Sequence, residues 1–193
     1  MIDDAAIERL RVAFAARPAV EIDAPQHRRA CVLIPLVIRA NRWFVLFTVR
    51  SQNLAAHSGQ IAFPGGSVEG SEPLELAAVR EAEEEVGIPR EHVELIGRLD
   101  DLVTHSGFLV APFAGVIREP LPYVIQEAEV VEVFEVPIEA LLDARQPEVR
   151  YVPFKGVNYP AYFYRHEQHE IWGLTGRMLK AFLDFVWLAR GGP

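Results

Sequence analysis

The chain has 193 residues, of which 50% are hydrophobic and 24% charged, so it can bury one substantial core but is short for two ordinary domains. This balance excludes a largely disordered chain, and the scattered glycines and prolines exclude a collagen-like or low-complexity one. The net charge is −8, and the 19 basic residues form no run that could follow a phosphate backbone, so we expect no nucleic acid partner.

The cysteine content and the first residues indicate a cytoplasmic protein. Cys31 is the single cysteine and lies in an apolar run, which excludes an intramolecular disulfide and predicts a buried thiol. The first residues lack the basic and apolar regions of a secretory signal, and no stretch approaches the roughly 18 apolar residues of a membrane helix. We therefore expect a cytoplasmic chain with no membrane partner.

The first predicted elements are a helix and a β-hairpin. Residues 5–16 place Ile7, Leu10 and Phe14 on one helical face. Two β-rich runs follow, from residue 32 to 38 and from residue 43 to 49, and the four polar or small residues between them suit a hairpin turn.

The clearest predicted element is a helix from Glu72 to Val86. Ser71 is the expected N-terminal cap, and Gly87 ends the helix. Further β-rich and helical patterns follow, with strands predicted at 93–103, 108–117, 130–136, 149–154 and 160–165 and a closing helix at 174–188. Strands mixed with a few helices indicate an α/β or α+β domain.

The end of that central helix carries a cluster of glutamates. At about 100° per residue, Glu81, Glu84 and Glu85 share one arc, whereas Glu83 points to the far side. Carboxylate oxygens without nearby His or Cys favour Mg²⁺ or Mn²⁺ over zinc. An ordinary solvated acidic face is the alternative interpretation of these residues alone.

An apolar stripe beside the carboxylates predicts how the helix packs. It contains Val79, Ala82 and Val86. We expect Val79 and Ala82 to be buried against a sheet while the carboxylates line the edge of a cleft.

The residues around the glutamates distinguish a metal site from an ordinary acidic helix face. Seven fixed positions of a longer motif are filled in order, by Gly66, Glu72, Arg80, Glu81, Glu84, Glu85 and Gly87, with the apolar Ile88 after them. At one-in-ten odds per position, chance agreement is on the order of 10⁻⁷ per start point. The chain therefore resembles the Nudix hydrolases, whose motif, the Nudix box, covers residues 66–88 here.

The resemblance implies a fold and a reaction. The fold is the Nudix α/β/α sandwich, a mixed β-sheet with the box helix on one face. A single domain would span residues 1–193, with 1–27 as an N-terminal extension and a core from about 28 to 185. The reaction is hydrolysis of a nucleoside diphosphate linked to another moiety, with Glu81, Glu84 and Glu85 holding Mg²⁺ or Mn²⁺.

The resemblance also implies catalytic and supporting roles. Glu84 or Glu85 is a candidate general base, and Arg80 is expected to support the box rather than contact substrate. Glu129 is similar to a loop glutamate that enters the Nudix metal site from outside the box. An ordinary exposed strand residue is the alternative interpretation of Glu129.

The stretch before the box resembles the Nudix subgroup that cleaves coenzyme A. Residues 46–51, Gly59 and residues 63–66 follow its pattern, except that Phe47 conservatively replaces a leucine. Ala55 stands where that subgroup carries an arginine. The resemblance implies substrate contacts from Arg50, Ser51, Gly65 and Gly66, with coenzyme A or its thioesters as the substrate. Because of Ala55, ADP-ribose or another nucleotide is the nearest alternative substrate.

Two other classes of function stay open, a Nudix-fold sensor that binds without hydrolysing and an interaction domain with an acidic face. His166 and His169 are one residue short of the zinc-protease spacing, so we expect no metal there. Trp172 and the aromatic residues of segment 159–164 are predicted to be core or dimer contacts, and the resemblance leaves a homodimer open.

Overall fold

The computed structural model describes residues 4–51, 59–118, 122–143, 147–154 and 156–191. The helices in these ranges are α1 (Asp4–Ala16), α2 (Leu74–Val86), α3 (Ile138–Leu141) and α4 (Gly173–Ala189). The strands are β1 (Arg28–Arg39), β2 (Arg42–Arg50), β3 (Ile61–Ala62), β4 (Gly65–Ser67), β5 (Val93–Arg98), β6 (Leu102–Val103), β7 (Phe108–Arg118), β8 (Val130–Pro137), β9 (Glu148–Phe154), β10 (Val157–His166) and β11 (His169–Ile171).

The predicted hairpin forms the centre of a mixed sheet. Ala40 and Asn41 have φ angles of 47° and 58°, the left-handed geometry that a two-residue turn needs to match the strand twist. β1 pairs with β7 in parallel along its length and with β2 in antiparallel over its last four residues. β8 pairs with the other side of β2, and β5 with the other side of β7. The mixed sheet confirms the predicted fold class.

β1 and β2 separate towards one end of the sheet. The segment from β3 to β4, residues 61–67, occupies the gap and is called the crossing segment. Ala62 on β3 pairs with Thr48 on β2, and Gly65 on β4 pairs with Val32 on β1. Between them, the Pro64 carbonyl accepts a hydrogen bond of 2.9 Å from the Leu33 amide. The chain therefore crosses from β2 to β1 immediately before α2, which places the start of the acidic motif at this opening.

Helices cover both faces of the sheet. On one face, α2 buries Val79 and Ala82, as predicted, with 6% and 0% of their surface exposed. On the other face, α1 packs against α4, and the Phe14 and Phe185 rings stack with their centroids 4.1 Å apart. This is the expected α/β/α arrangement. Among the described helices, none is long and apolar enough to cross a membrane.

A smaller sheet, β9–β10–β11, leads into α4. Strand β11 was not predicted, because three residues give too little pattern. The Thr175 hydroxyl, in the first turn of α4, donates a hydrogen bond of 3.0 Å to the Ile61 carbonyl. This contact fixes the start of α4 against the crossing segment.

The predicted N-terminal cap of α2 is wrong. The helix begins at Leu74 with Pro73 as its N-cap, and no side chain caps it. The extended backbone of Pro73 and its missing N–H make it compatible with a helix start, so Ser71 lies outside the helix. The predicted end is confirmed, since Gly87 has a φ of 71° and stops the helix.

The predicted strand 93–103 is two strands, because the residues between β5 and β6 bind the segment that follows α1. The Asp100 carboxylate accepts hydrogen bonds of 2.6 and 3.0 Å from the Arg17 guanidinium. The Asp101 carboxylate accepts one of 3.1 Å from the Ile22 amide. The Arg17 hydrogen bonds hold the pKa of Asp100 below its usual range. The chain after α1 is thereby fastened to the sheet.

Tyr164→Phe is expected to raise the free energy of unfolding by about 1 kcal/mol and the Tm by roughly 3 °C. Tyr164 is 1% exposed, and its hydroxyl has no hydrogen-bond partner within the described residues. Removing a buried hydroxyl that bonds to nothing removes its desolvation cost. Thermal unfolding checks this, with the exposed Tyr159→Phe as the control. A lower Tm for Tyr164→Phe would mean that the hydroxyl is bonded after all.

Candidate active site

The predicted catalytic residues lie where the crossing segment, the end of β2 and the second half of α2 meet. Two glycines allow the close approach. A Cβ on Gly65 would lie 2.3 Å from the Cys31 carbonyl oxygen, and one on Gly66 would lie 2.4 Å from a Glu81 carboxylate oxygen. The glycine loop is therefore packed directly on β1 and on the acidic helix.

Glu85 is the most buried carboxylate of the cluster, with 3% of its side chain exposed. The Gly65 amide donates a hydrogen bond of 3.1 Å to its Oε2, and Arg50 Nη1 lies 3.6 Å from its Oε1. Burial raises the pKa of Glu85 to about 7, against the opposing effects of the Gly65 hydrogen bond and the Arg50 charge. Glu85 therefore joins the loop, the helix and the end of β2.

Arg80 holds together the box glutamates on the other side of the cluster. Its guanidinium lies 2.9 Å from Glu72, 3.0 Å from Glu81 and 3.0 Å from Glu84. It also donates a hydrogen bond of 3.2 Å to the Ser67 carbonyl. The pKa of Arg80 is raised above its usual value, chiefly by the hydrogen bond to Glu72. These contacts support the structural role expected for Arg80.

The other helix glutamates differ in exposure. Glu81 has 13% of its side chain exposed, and burial raises its pKa while Arg80 opposes the rise. Glu84 is 56% exposed. Glu83 points away, as predicted, and accepts a hydrogen bond of 2.5 Å from Arg90.

Glu129 lies in the turn that precedes β8, so its alternative interpretation as a strand residue is wrong. Its negative charge raises the pKa of both Glu81 and Glu85. The Ser51 amide donates a hydrogen bond of 2.7 Å to the Glu129 carbonyl. Ser51 is 1% exposed, so its backbone connects the end of β2 to this turn.

The carboxylates are divided between two cationic partners. Within the described ranges, no three His, Cys, Asp or Glu side chains are grouped as a metal-binding set. Glu81 and Glu84 turn to Arg80, whereas Glu85 turns to Gly65 and Arg50. The donor set nevertheless fits a hard divalent cation, because it consists of oxygens whose mutual repulsion a cation would relieve.

Other predicted features have the following positions. Cys31 is fully buried, which confirms the predicted buried thiol, and burial raises its pKa to about 12. His169 stacks on Phe134, with ring centroids 3.8 Å apart, and lies 3.1 Å from Glu132. Ala55 falls outside the described residues.

The predicted aromatic contacts are of two kinds. The Phe163 and Trp172 rings stack with centroids 5.5 Å apart, and Phe163 is buried. Tyr159 is 51% exposed and lies on β10, where it pairs with Val152 of β9.

One part of the site was not predicted. The Gln126 amide donates a hydrogen bond of 3.0 Å to the Glu85 carbonyl, so the segment before Glu129 lies against the end of α2. No sequence pattern reports a backbone contact between residues about 40 positions apart. Pro120 and Pro122 mark a break in the strand pattern before this segment, but they do not indicate its partner.

Arg80→Ala is expected to lower the Tm by roughly 3–6 °C, because several charge-assisted hydrogen bonds are lost and three carboxylates remain close together. Arg80→Lys is expected to lower it less, since a single ammonium cannot reproduce the planar fork. Thermal unfolding without added metal measures both. Arg90→Ala is the control, because its partner Glu83 lies on the exposed side of the same helix. Equal effects of Arg80→Ala and Arg90→Ala would contradict the structural role of Arg80.

Comparisons with known proteins identify relatives. The model of the NUDIX domain matches residues 27–161. A protein of Escherichia coli K12 with the name uncharacterized Nudix hydrolase NudL is 38% identical over 165 residues, covering 85% of each chain.

Solved structures share the fold. A MutT/nudix family protein from Enterococcus faecalis has a TM-score of 0.51 at 17% identity and covers 93% of this chain and 73% of its own. RenU, a Nudix hydrolase from M. Smegmatis, has a TM-score of 0.51 at 24% identity and covers 61% and 74%. An Ap4A hydrolase from C. elegans has a TM-score of 0.50 at 20% identity and covers 57% and 80%. At these identities the structures bear on the fold alone.

Proposed function

Because the chain belongs to the Nudix hydrolase family, we propose that it hydrolyses the diphosphate of coenzyme A or of its thioesters. Hydrolysis of a nucleoside diphosphate linked to another moiety is the general reaction of the family, and Mg²⁺ or Mn²⁺ is its usual metal. The products would be 4′-phosphopantetheine, or its acylated form, and adenosine 3′,5′-bisphosphate.

The position of Arg50 carries the substrate proposal. Arg50 ends the stretch 46–51, which resembles the coenzyme A subgroup, and its guanidinium lies 3.6 Å from Glu85. Its side chain is 24% exposed, so it borders both the carboxylates and solvent. A guanidinium in this position can bind two oxygens of a diphosphate.

Glu81, Glu84 and Glu85 would hold the cation, and the glycine backbone lies directly beside two of them, Gly66 against Glu81 and Gly65 against Glu85. A bound cation would supply neutralisation of the diphosphate charge and lower the pKa of an attacking water. The chain's own residues do the rest. Gly65 fixes the orientation of Glu85 through its amide. Glu129, whose negative charge raises the pKa of Glu85, would accept a proton from that water.

Ala55 is the observation that favours a second candidate substrate. An alanine lacks the guanidinium that the coenzyme A pattern carries at this position, which favours a different nucleotide, such as ADP-ribose, as the alternative substrate. The reaction and the proposed roles of the glutamates are the same for both candidates.

Product analysis by chromatography tests the proposal. The protein is incubated with Mg²⁺ or Mn²⁺ and, separately, with coenzyme A, ADP-ribose, NADH and ATP. Adenosine 3′,5′-bisphosphate should appear from coenzyme A faster than products appear from the other three. Glu84→Gln should remove the activity, whereas Glu83→Gln on the far side of α2 should keep it. Faster turnover of another substrate would refute the coenzyme A proposal.

A further inference from the structure

The connection between β7 and β8 runs from one end of the sheet to the other. β7 ends beside the β1–β2 hairpin turn, where Arg118 pairs with Ile38, whereas β8 begins where Val130 pairs with Arg50. Residues 122–129, which we call the 122–129 connection, therefore cross the face that α2 covers. They bring Glu129 to the site.

Two backbone hydrogen bonds fasten this connection to the last turn of α2. The Val124 amide donates to the Val86 carbonyl at 3.1 Å, and the Gln126 amide donates to the Glu85 carbonyl at 3.0 Å. The approach is close, because a Cβ on Gly87 would lie 2.9 Å from the Val124 Cβ. The connection is therefore fixed against the end of α2 that carries Glu85.

A three-residue cluster fixes the first part of the same connection. The Tyr123 hydroxyl donates a hydrogen bond of 2.5 Å to Glu135, on β8. Arg39, on β1, donates from Nε to both Glu135 oxygens at 2.9 and 3.0 Å. The Tyr123 ring also packs in the apolar cluster with Val37. Tyr123 is thereby held by two strands of the sheet.

We propose that Tyr123, held by Glu135 and Arg39, is a positioning residue that fixes the 122–129 connection so that Glu129 stays beside Glu81 and Glu85. The catalytic half of this inference rests on the proposed function, because it assigns Glu129 a part in hydrolysis. The structural half concerns the connection alone and is tested without substrate.

Amide hydrogen exchange followed by NMR tests the structural half. Tyr123→Phe keeps the ring and removes the hydrogen bond to Glu135. The Val124 and Gln126 amides should then exchange about tenfold faster or more, while the amides of β1 and β7 keep their rates. Tyr159→Phe, an exposed tyrosine of the small sheet, is the matched control and should change neither set. Unchanged exchange of Val124 and Gln126 would overturn the proposal.

A double-mutant cycle tests the catalytic half with whichever substrate the wild type hydrolyses. Tyr123→Phe should lower kcat about tenfold with KM within twofold, and should cost almost nothing further in a Glu129→Gln background. A full tenfold loss in that background would show that Tyr123 does not act through Glu129. If the wild type hydrolyses nothing, the proposed function fails, and the exchange experiment still decides whether Tyr123 fixes the connection.

Discussion

Glu85→Gln is expected to lower kcat/KM by about 10³-fold while the protein stays folded. Glu85 is the carboxylate that contacts the glycine loop through Gly65 and the end of β2 through Arg50. Glutamine keeps the size and an oxygen that can accept the Gly65 hydrogen bond, but it loses the negative charge that a cation needs. The expected loss is therefore specific to the chemistry.

The fold should tolerate this substitution, because burial raises the pKa of Glu85 to about 7 in the metal-free protein. A buried site that disfavours the charged form accommodates a neutral amide at least as well. The Tm of Glu85→Gln without metal should therefore equal or exceed that of the wild type.

Two measurements on the same samples check the prediction. Initial rates give the loss of activity, with Glu83→Gln as the control, since the contact of Glu83 is with Arg90 outside the cluster. Thermal unfolding with and without Mn²⁺ gives a second readout. The cation should raise the Tm of the wild type and of Glu83→Gln but have a much smaller effect on Glu85→Gln. A rate within threefold of the wild type would remove Glu85 from the catalytic set.

The parts of the site that sequence predicted lie within single helices or turns. The arc shared by Glu81, Glu84 and Glu85 and the opposite position of Glu83 follow from the 3.6-residue period of α2. The end of the helix at Gly87 follows from the left-handed conformation that glycine adopts readily. The mixed sheet itself came from the resemblance, not from periodicity.

The parts that sequence did not predict depend on contacts between distant segments. The helix period places three carboxylates on one face, but it does not report that Arg80 takes two of them while Gly65 and Arg50 take Glu85. The crossing from β2 to β1 and the path of the 122–129 connection are likewise long-range pairings. Catalytic roles, the extent of the domain and a homodimer remain predictions.

The two adjacent glycines of the loop are expected to fail in different ways when each is changed to alanine. In Gly66→Ala, the new Cβ would meet the end of the Glu81 side chain at 2.4 Å. A flexible carboxylate can rotate away, so the Tm should fall by only a few degrees. Because Glu81 then leaves its position in the cluster, kcat/KM should fall by about 10²-fold.

In Gly65→Ala, the new Cβ would lie 2.3 Å from the Cys31 carbonyl oxygen and 2.7 Å from the Val32 Cα. Backbone atoms cannot rotate away, so the β4–β1 pairing must open, at a cost of about 3 kcal/mol and a Tm lower by roughly 8 °C. The hydrogen bond to Glu85 is lost with it, so activity should disappear as well. Ser67→Ala is the control, because its carbonyl keeps the contact with Arg80. If Gly66→Ala unfolds as early as Gly65→Ala, the Glu81 carboxylate is rigidly held and serves the fold as much as the chemistry.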